Sequence, residues 1–184
     1  PAMDIIPGAR VTTVRPDTLG QGNQTRGVNL FLYRIVPNVD YRNMDTPTRY
    51  IDGSLATVPT IAVNLHYLLT AYGDESHLES QLLLGAAIAR LHKSPVLAGE
   101  LVEKSVAQYE AMVGGSDLAE QKPRLEVLFE SLSDDTLSKI WSMMFQTPYR
   151  LSVSYCCKPL FLQPDADVPP RAAPGDIAFD MGGT

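Results

Sequence analysis

Residues 61–73, IAVNLHYLLTAYG, alternate in character over an unusually long run. Ile61, Val63, Leu65, Tyr67, Leu69 and Ala71 fall on one face; Ala62, Asn64, His66, Leu68, Thr70 and Tyr72 fall on the other. Period-two alternation marks a strand with one face in a core and the other partly wet. The first face is almost wholly apolar, which predicts a central strand with a core packed on that side. Gly73-Asp74 supplies the turn that ends it. A shorter partner strand lies upstream at 28–36 (VNLFLYRIV), stopped by Pro37-Asn38, and 9–14 (ARVTTV) is a short β-branched strand before that.

Downstream, Ser76-His77-Leu78-Glu79 fits a capping box. In that motif the Ser76 hydroxyl accepts from the Glu79 N–H and the Glu79 carboxylate reaches back to the Ser76 N–H. A helix is predicted from His77 to Lys93, ended by Ser94-Pro95. Leu84, Ile88 and Leu91, widened by Leu78, Leu82, Leu83 and Ala87, give it a broad apolar face suited to covering a sheet. Gly85 inside it costs ~1 kcal/mol against alanine, which predicts close packing against a strand there. A second helix is read within 95–113 and a strand over 124–132. Ser133-Asp134-Asp135 caps a third helix, whose stripe of Leu137, Ile140, Trp141 and Met144 reads as core. The last strand covers 150–162 (RLSVSYCCKPLFL). Pro159 cannot donate to a ladder, so that strand lies at an edge or bulges there.

The elements add up to an α/β (α+β) fold: a mixed, mostly antiparallel sheet with helices packed mainly on one face. Residues 1–162 form this domain, and 163–184 form a Pro/Asp-rich tail or arm that does not pack by itself. The length of 184 residues, 45% hydrophobic and 20% charged, suits one globular domain. No apolar run approaches the ~20 residues of a membrane helix, and no secretory signal is visible after Pro1. The net charge of −6 and pI near 5.0, with scattered Arg and Lys, argue against nucleic acid as a partner. The adjacent Cys156 and Cys157 read as two part-buried thiols in a reducing compartment rather than a disulfide framework.

Chemistry finds little support in the sequence. There is no phosphate-binding Gly loop, no Gly-x-Ser-x-Gly elbow and no His-Glu-x-x-His helix. His66, His77 and His92 have no partners at metal-ligand spacing, and no cofactor or metal is expected. A triad of Ser154, His66 and Asp74 can be drawn, but nothing in its spacing supports it. The acidic pairs at helix starts are explained by capping and the helix dipole. No enzyme activity is expected. The long connection at 40–59 carries Arg42, Arg49 and Asp52, which read either as partner contacts or as the charges of a solvated loop.

Several segments together resemble a known family. They are Asn29-Leu30-Phe31-Leu32-Tyr33, Pro37-Asn38, Leu65-His66-Tyr67-Leu68-Leu69 and Tyr72-Gly73. The match continues with Leu83-Leu84-Gly85, Leu91-His92, Pro95-Val96-Leu97 and residues 137–141, and ends at Pro148-Tyr149-Arg150 and Ser152-Val153-Ser154-Tyr155. By their order and spacing the chain resembles the N-terminal domain family of tail-terminator, or cap, proteins of contractile injection systems, over about residues 11–162. The resemblance implies a tail-terminator-like fold and a structural protein. In it six copies form a ring at the distal end of a phage-tail-like particle and stop growth of the inner tube and contractile sheath.

The implied partners are other copies of itself, the tube protein and the sheath protein, with no nucleic acid and no membrane. Assembly in the bacterial cytoplasm and release with the particle follow from the same resemblance. The alternative is the terminator or connector of a DNA-carrying contractile phage tail. Family members carry a helix before the first strand, where this sequence has the stub 1–9. The final strand, with Arg150, Ser152, Ser154 and Lys158, and the tail after it are the candidate contacts toward a sheath or neighbour. With the resemblance added, the 40–59 loop is a second candidate contact.

Overall fold

A computed structural model describes residues 6–19, 26–41, 60–113, 115–144 and 147–163. Five strands are β1 (Arg10–Thr12), β2 (Gly27–Pro37), β3 (Ile61–Tyr72), β4 (Glu126–Glu130) and β5 (Ser152–Leu162). They form one sheet in the order β1-β2-β3-β5-β4. The β1–β2 pair is parallel and the other three pairs are antiparallel, as a mixed, mostly antiparallel sheet requires. β3 is its centre, paired along nearly its whole length with β2 on one side and β5 on the other. Four helices accompany the sheet: α1 (Glu79–Lys93), α2 (Gly99–Gln108), α3 (Glu110–Val113) and α4 (Asp134–Ser142).

The long α1 covers the face that the β3 alternation marks as apolar. Its Leu83 and Leu84 are buried with Leu69, Ala71 and Tyr155, and Val28, Leu30, Val127 and Val153 pack around them. Burying each such leucine contributes about 1.5–3 kcal/mol. The other face is drier than the alternation suggests. Leu68 and Thr70 have no exposure and Tyr72 has 1%. Leu68 is covered by Ile140 and Trp141 of α4 and by Met144 just past its end, with Phe31, Tyr33, Leu132 and Leu137 around it. A polar residue such as Thr70 reads as wet in a sequence, yet here its hydroxyl is paired with Ser152 Oγ at 3.0 Å.

Three local expectations change. The capping serine gives way to Asp74, whose Oδ1 accepts from Ser76 N at 2.8 Å and from Ser76 Oγ at 2.6 Å. Glu79 does reach back, but to Asp74 N at 2.8 Å, and a short 3-10 turn over Glu75–His77 precedes the helix. A carboxylate outcompetes a hydroxyl as acceptor for these amides because its hydrogen bonds are charge-assisted. Gly85 packs against nothing: it is exposed, and a Cβ built there meets no atom within 4 Å. The second helix begins only at Gly99, because residues 95–97 are taken up beside β4, with Val127 N donating to Pro95 O and Leu97 N to Leu125 O.

β5 is an interior strand between β3 and β4, not a free edge. Pro159 sits where the register against β3 steps from Leu65↔Cys157 to Val63↔Leu160, so β5 carries one extra residue there. The proline is accommodated by this bulge, beyond the Glu126↔Lys158 pair at which β4 stops.

Candidate functional site

Strand pairing gathers four polar side chains that lie far apart in sequence. His66 on β3, Glu130 on β4 and Ser154 on β5 come from three neighbouring strands, and Tyr33 from β2 joins them. Glu130 Oε2 is 2.9 Å from His66 Nδ1 and accepts from Ser154 Oγ at 2.9 Å. The Tyr33 hydroxyl is 3.2 Å from Ser154 Oγ. Desolvation raises the Tyr33 pKa above its ordinary value, with the hydrogen bond to Ser154 acting against it and the Glu130 charge acting with it. With the Ser154 hydroxyl donating to Glu130, the phenol is the donor of its pair with Ser154.

This seam overturns one reading of the histidine as a residue without a partner. His66 and Ser154 do belong together, but through Glu130 and not Asp74, which caps the 3-10 turn ahead of α1. The chain of bonds runs serine–glutamate–histidine. A nucleophilic serine needs the imidazole itself as its base, and here both groups converge on the carboxylate. Ser154 is also only 2% exposed. The seam is therefore built to fasten β2, β3, β4 and β5 on one face. The sequence signal that could have found it is a carboxylate, Glu130, ending one strand and a serine, Ser154, between Val153 and Tyr155 of another.

The expected contact residues fall into distinct settings. Arg42, Arg49 and Asp52 lie outside the described residues. Ser152 and Ser154 are buried, with hydroxyls engaged inside the chain, so they support the sheet instead of facing outward. Lys158 is partly exposed, with Nζ 3.8 Å from Asp40 Oδ2. Arg150 is partly buried, and one guanidinium nitrogen donates to Leu19 O at 3.4 Å. The tail beyond residue 163 lies outside the described residues.

The flank of the sheet beyond β5 is closed. Residues 95–97 cover the outer edge of β4. Where β4 ends, the Gln121 side chain takes over: Nε2 donates to Phe161 O at 2.8 Å and Oε1 accepts from Phe161 N at 3.1 Å. Asn29, with no exposure, does a similar thing for the chain after β1, pairing with both N and O of Val14 at 3.0 and 2.9 Å. The two thiols are unsuited to chemistry: Cys156 is buried, and Cys157 is pushed up to about 11, first by burial and then by its neighbour Cys156. Among the described residues no group of His, Cys, Asp and Glu is arranged to hold a metal ion, and no helix is long and apolar enough to cross a membrane.

The sequence model of the Pvc16 N-terminal domain family matches residues 2–173. A search of curated proteins finds no match. Among solved structures, the chain is similar to a sheath/tube terminator of an extracellular contractile injection system, PVC, in its extended state, at 18% identity and a TM-score of 0.55. That alignment covers 94% of this chain and 59% of the solved one. It is also similar to the tube-terminating cap of the anti-feeding prophage, at 15% identity and a TM-score of 0.60, over 92% of this chain and 53% of that one. At these identities the likeness is one of fold. The chain spans a little over half the length of the solved chains that it matches.

Proposed function

The chain belongs to the Pvc16 N-terminal domain family, and from that membership we propose that it is a structural cap of a contractile injection particle. Copies of it form a ring, six to a ring, on the distal end of the particle, where they meet the inner tube and the sheath and stop their growth. The observation that carries this reading is the family match across nearly the whole chain, joined to a fold shared with two terminators of such particles. The polar seam supports a non-catalytic role, since its hydrogen bonds fasten strands and leave the serine without a base. The acidic balance of the chain suits contact with protein and not with nucleic acid. Assembly takes place in the cytoplasm, and the finished particle carries the cap outside the cell.

Electron microscopy of particles assembled with and without the protein tests this. With it, tubes and sheaths share one length and end in a closed density. Without it, lengths scatter and the distal ends fray. Uniform particles with intact ends in its absence would sink the cap reading.

A further inference from the structure

The two flanks of the sheet carry shapes of opposite kind. Beyond β4, residues 95–97 lead into α2 and α3, of which Leu101, Met112 and Val113 are exposed. Met112 is 84% exposed, more than any other large hydrophobic residue among those described, and Tyr109 and Val113 stand beside it at 54% and 42%. Their spacing of i, i+3 and i+4 makes them one apolar knob. Glu110 lies beside it in sequence, and Glu100 and Glu103 lie further back on α2, against the one cation Lys104 on these two helices. None of these three carboxylates is paired among the described residues.

At the far flank, α1 and the β1–β2 pair enclose an almost wholly apolar groove of about 230 Å³. Val28, Leu30, Leu83, Ala87 and Leu91 are among its lining, with Arg10 and Arg90. Both arginines are exposed and neither is ion-paired among the described residues.

We propose that the Met112 knob of one copy of this chain seats in the α1–β2 groove of the next copy. The contact rests on the ring reading above and names the two surfaces that such a ring joins. A closed ring needs two different, complementary patches on each subunit, facing opposite neighbours. Here a convex apolar patch stands at one flank and a concave apolar one at the other. A thioether on three rotatable bonds fills irregular apolar space well. The charges fit in the same sense: carboxylates on the two knob helices meet guanidinium groups at the groove, none of them ion-paired among the described residues. Alternation of sign across such a contact steers copies into head-to-tail order and disfavours knob-to-knob pairing.

Disulfide capture in the full chain tests the contact, on particles assembled with tube and sheath. Met112→Cys and Ala87→Cys are made singly and together, with Arg90→Cys as a second groove position. Chains carrying a knob and a groove cysteine are expected to give a ladder of cross-linked multimers on oxidation, and single variants none. Met112→Glu is expected to lower occupancy of distal ends about tenfold, the effect of some 1.4 kcal/mol in all, whereas Met112→Leu keeps it. Glu110→Arg combined with Arg90→Glu in one chain restores what either alone weakens. If the protein sits on distal ends yet neither cysteine pair cross-links, this contact is wrong and the cap reading survives. If the protein is missing from distal ends altogether, the cap reading fails and the contact falls with it.

Discussion

His66 Nδ1 and Glu130 Oε2 stand 2.9 Å apart across the β5 strand that separates their own. The pair is part-shielded, with side-chain exposures of 12% and 29%. Glu130→Ala removes the acceptor that His66 and Ser154 share, and should cost about 1–3 kcal/mol in urea unfolding. Glu130→Gln keeps an acceptor oxygen and should recover more than half of that loss. If both variants unfold like the parent, the seam contributes nothing to stability.

Gln121→Ala should expose the β5 backbone at Phe161. Two neutral hydrogen bonds of about 0.5–1.5 kcal/mol each are lost. Native-state hydrogen exchange is the direct check: the Phe161 amide, held by Gln121 Oε1, should exchange at least about tenfold faster for each 1.4 kcal/mol lost locally. An unchanged rate would show that the side chain does not hold the edge.

The glycines separate two kinds of substitution. Gly85 is exposed with open space around it, so Gly85→Ala should stabilise the protein by up to about 1 kcal/mol through helix propensity alone. Gly27 lies in the opposite situation. Its φ is +157°, and a Cβ there would stand 2.9 Å from Tyr72 Oη and collide with Arg10 O, a backbone atom that cannot swing away. Gly27→Ala should therefore cost about 1–3 kcal/mol and loosen the β1–β2 pairing. Thermal unfolding of both variants decides, and equal shifts would refute the contrast.

Acid should act on the start of α1. Hydrogen bonds from Ser76 and His77 hold the Asp74 pKa down to about 2, below the ordinary 3.8. A depressed carboxylate pKa gives stability that is fully present above the ordinary value and is lost as pH falls through the folded value. The Ser76 amide should thus stay protected down to about pH 3 and lose protection as pH falls through 2. In Asp74→Ala the Ser76 amide should be unprotected at every pH. Followed by amide NMR, a midpoint near 4 in the parent would show that these bonds do not form in solution.

The strands were easier to read than their surroundings. β3 was legible almost to the residue because a strand's two faces are written in alternate positions of one short stretch. The wet second face was misjudged because what covers it, the Ile140–Trp141–Met144 stripe, is recognisable as core without any sign of which face it covers. Partners of His66 were illegible for the same reason: Glu130 is 64 residues away, and the pairing depends on a strand order that no local pattern encodes. Position Gly85 misled because a helix glycine signals either close packing or mere tolerance, and only the open space around it decides. Pro159 was read well, since its missing N–H forces an interruption whatever the neighbours. Of the candidate contacts, Ser152 and Ser154 are buried with their hydroxyls bonded inside the chain, and β5 lies between β3 and β4. Placing a strand at an edge or in the middle is a property of topology.

The covered flank has a consequence for how copies can crowd together. Unpaired strand edges recruit one another, and a protein stored at high concentration beside its own kind is exposed to that hazard. Here one flank is shut by residues 95–97 and by an amide side chain imitating a peptide, and the opposite flank is the three-residue β1. The β4 side therefore offers no long template, whereas β1 pairs only with Gly27, Val28 and Asn29 of β2. On the β4 side copies can therefore meet through side chains, reversibly and in a chosen orientation, without seeding a fibre.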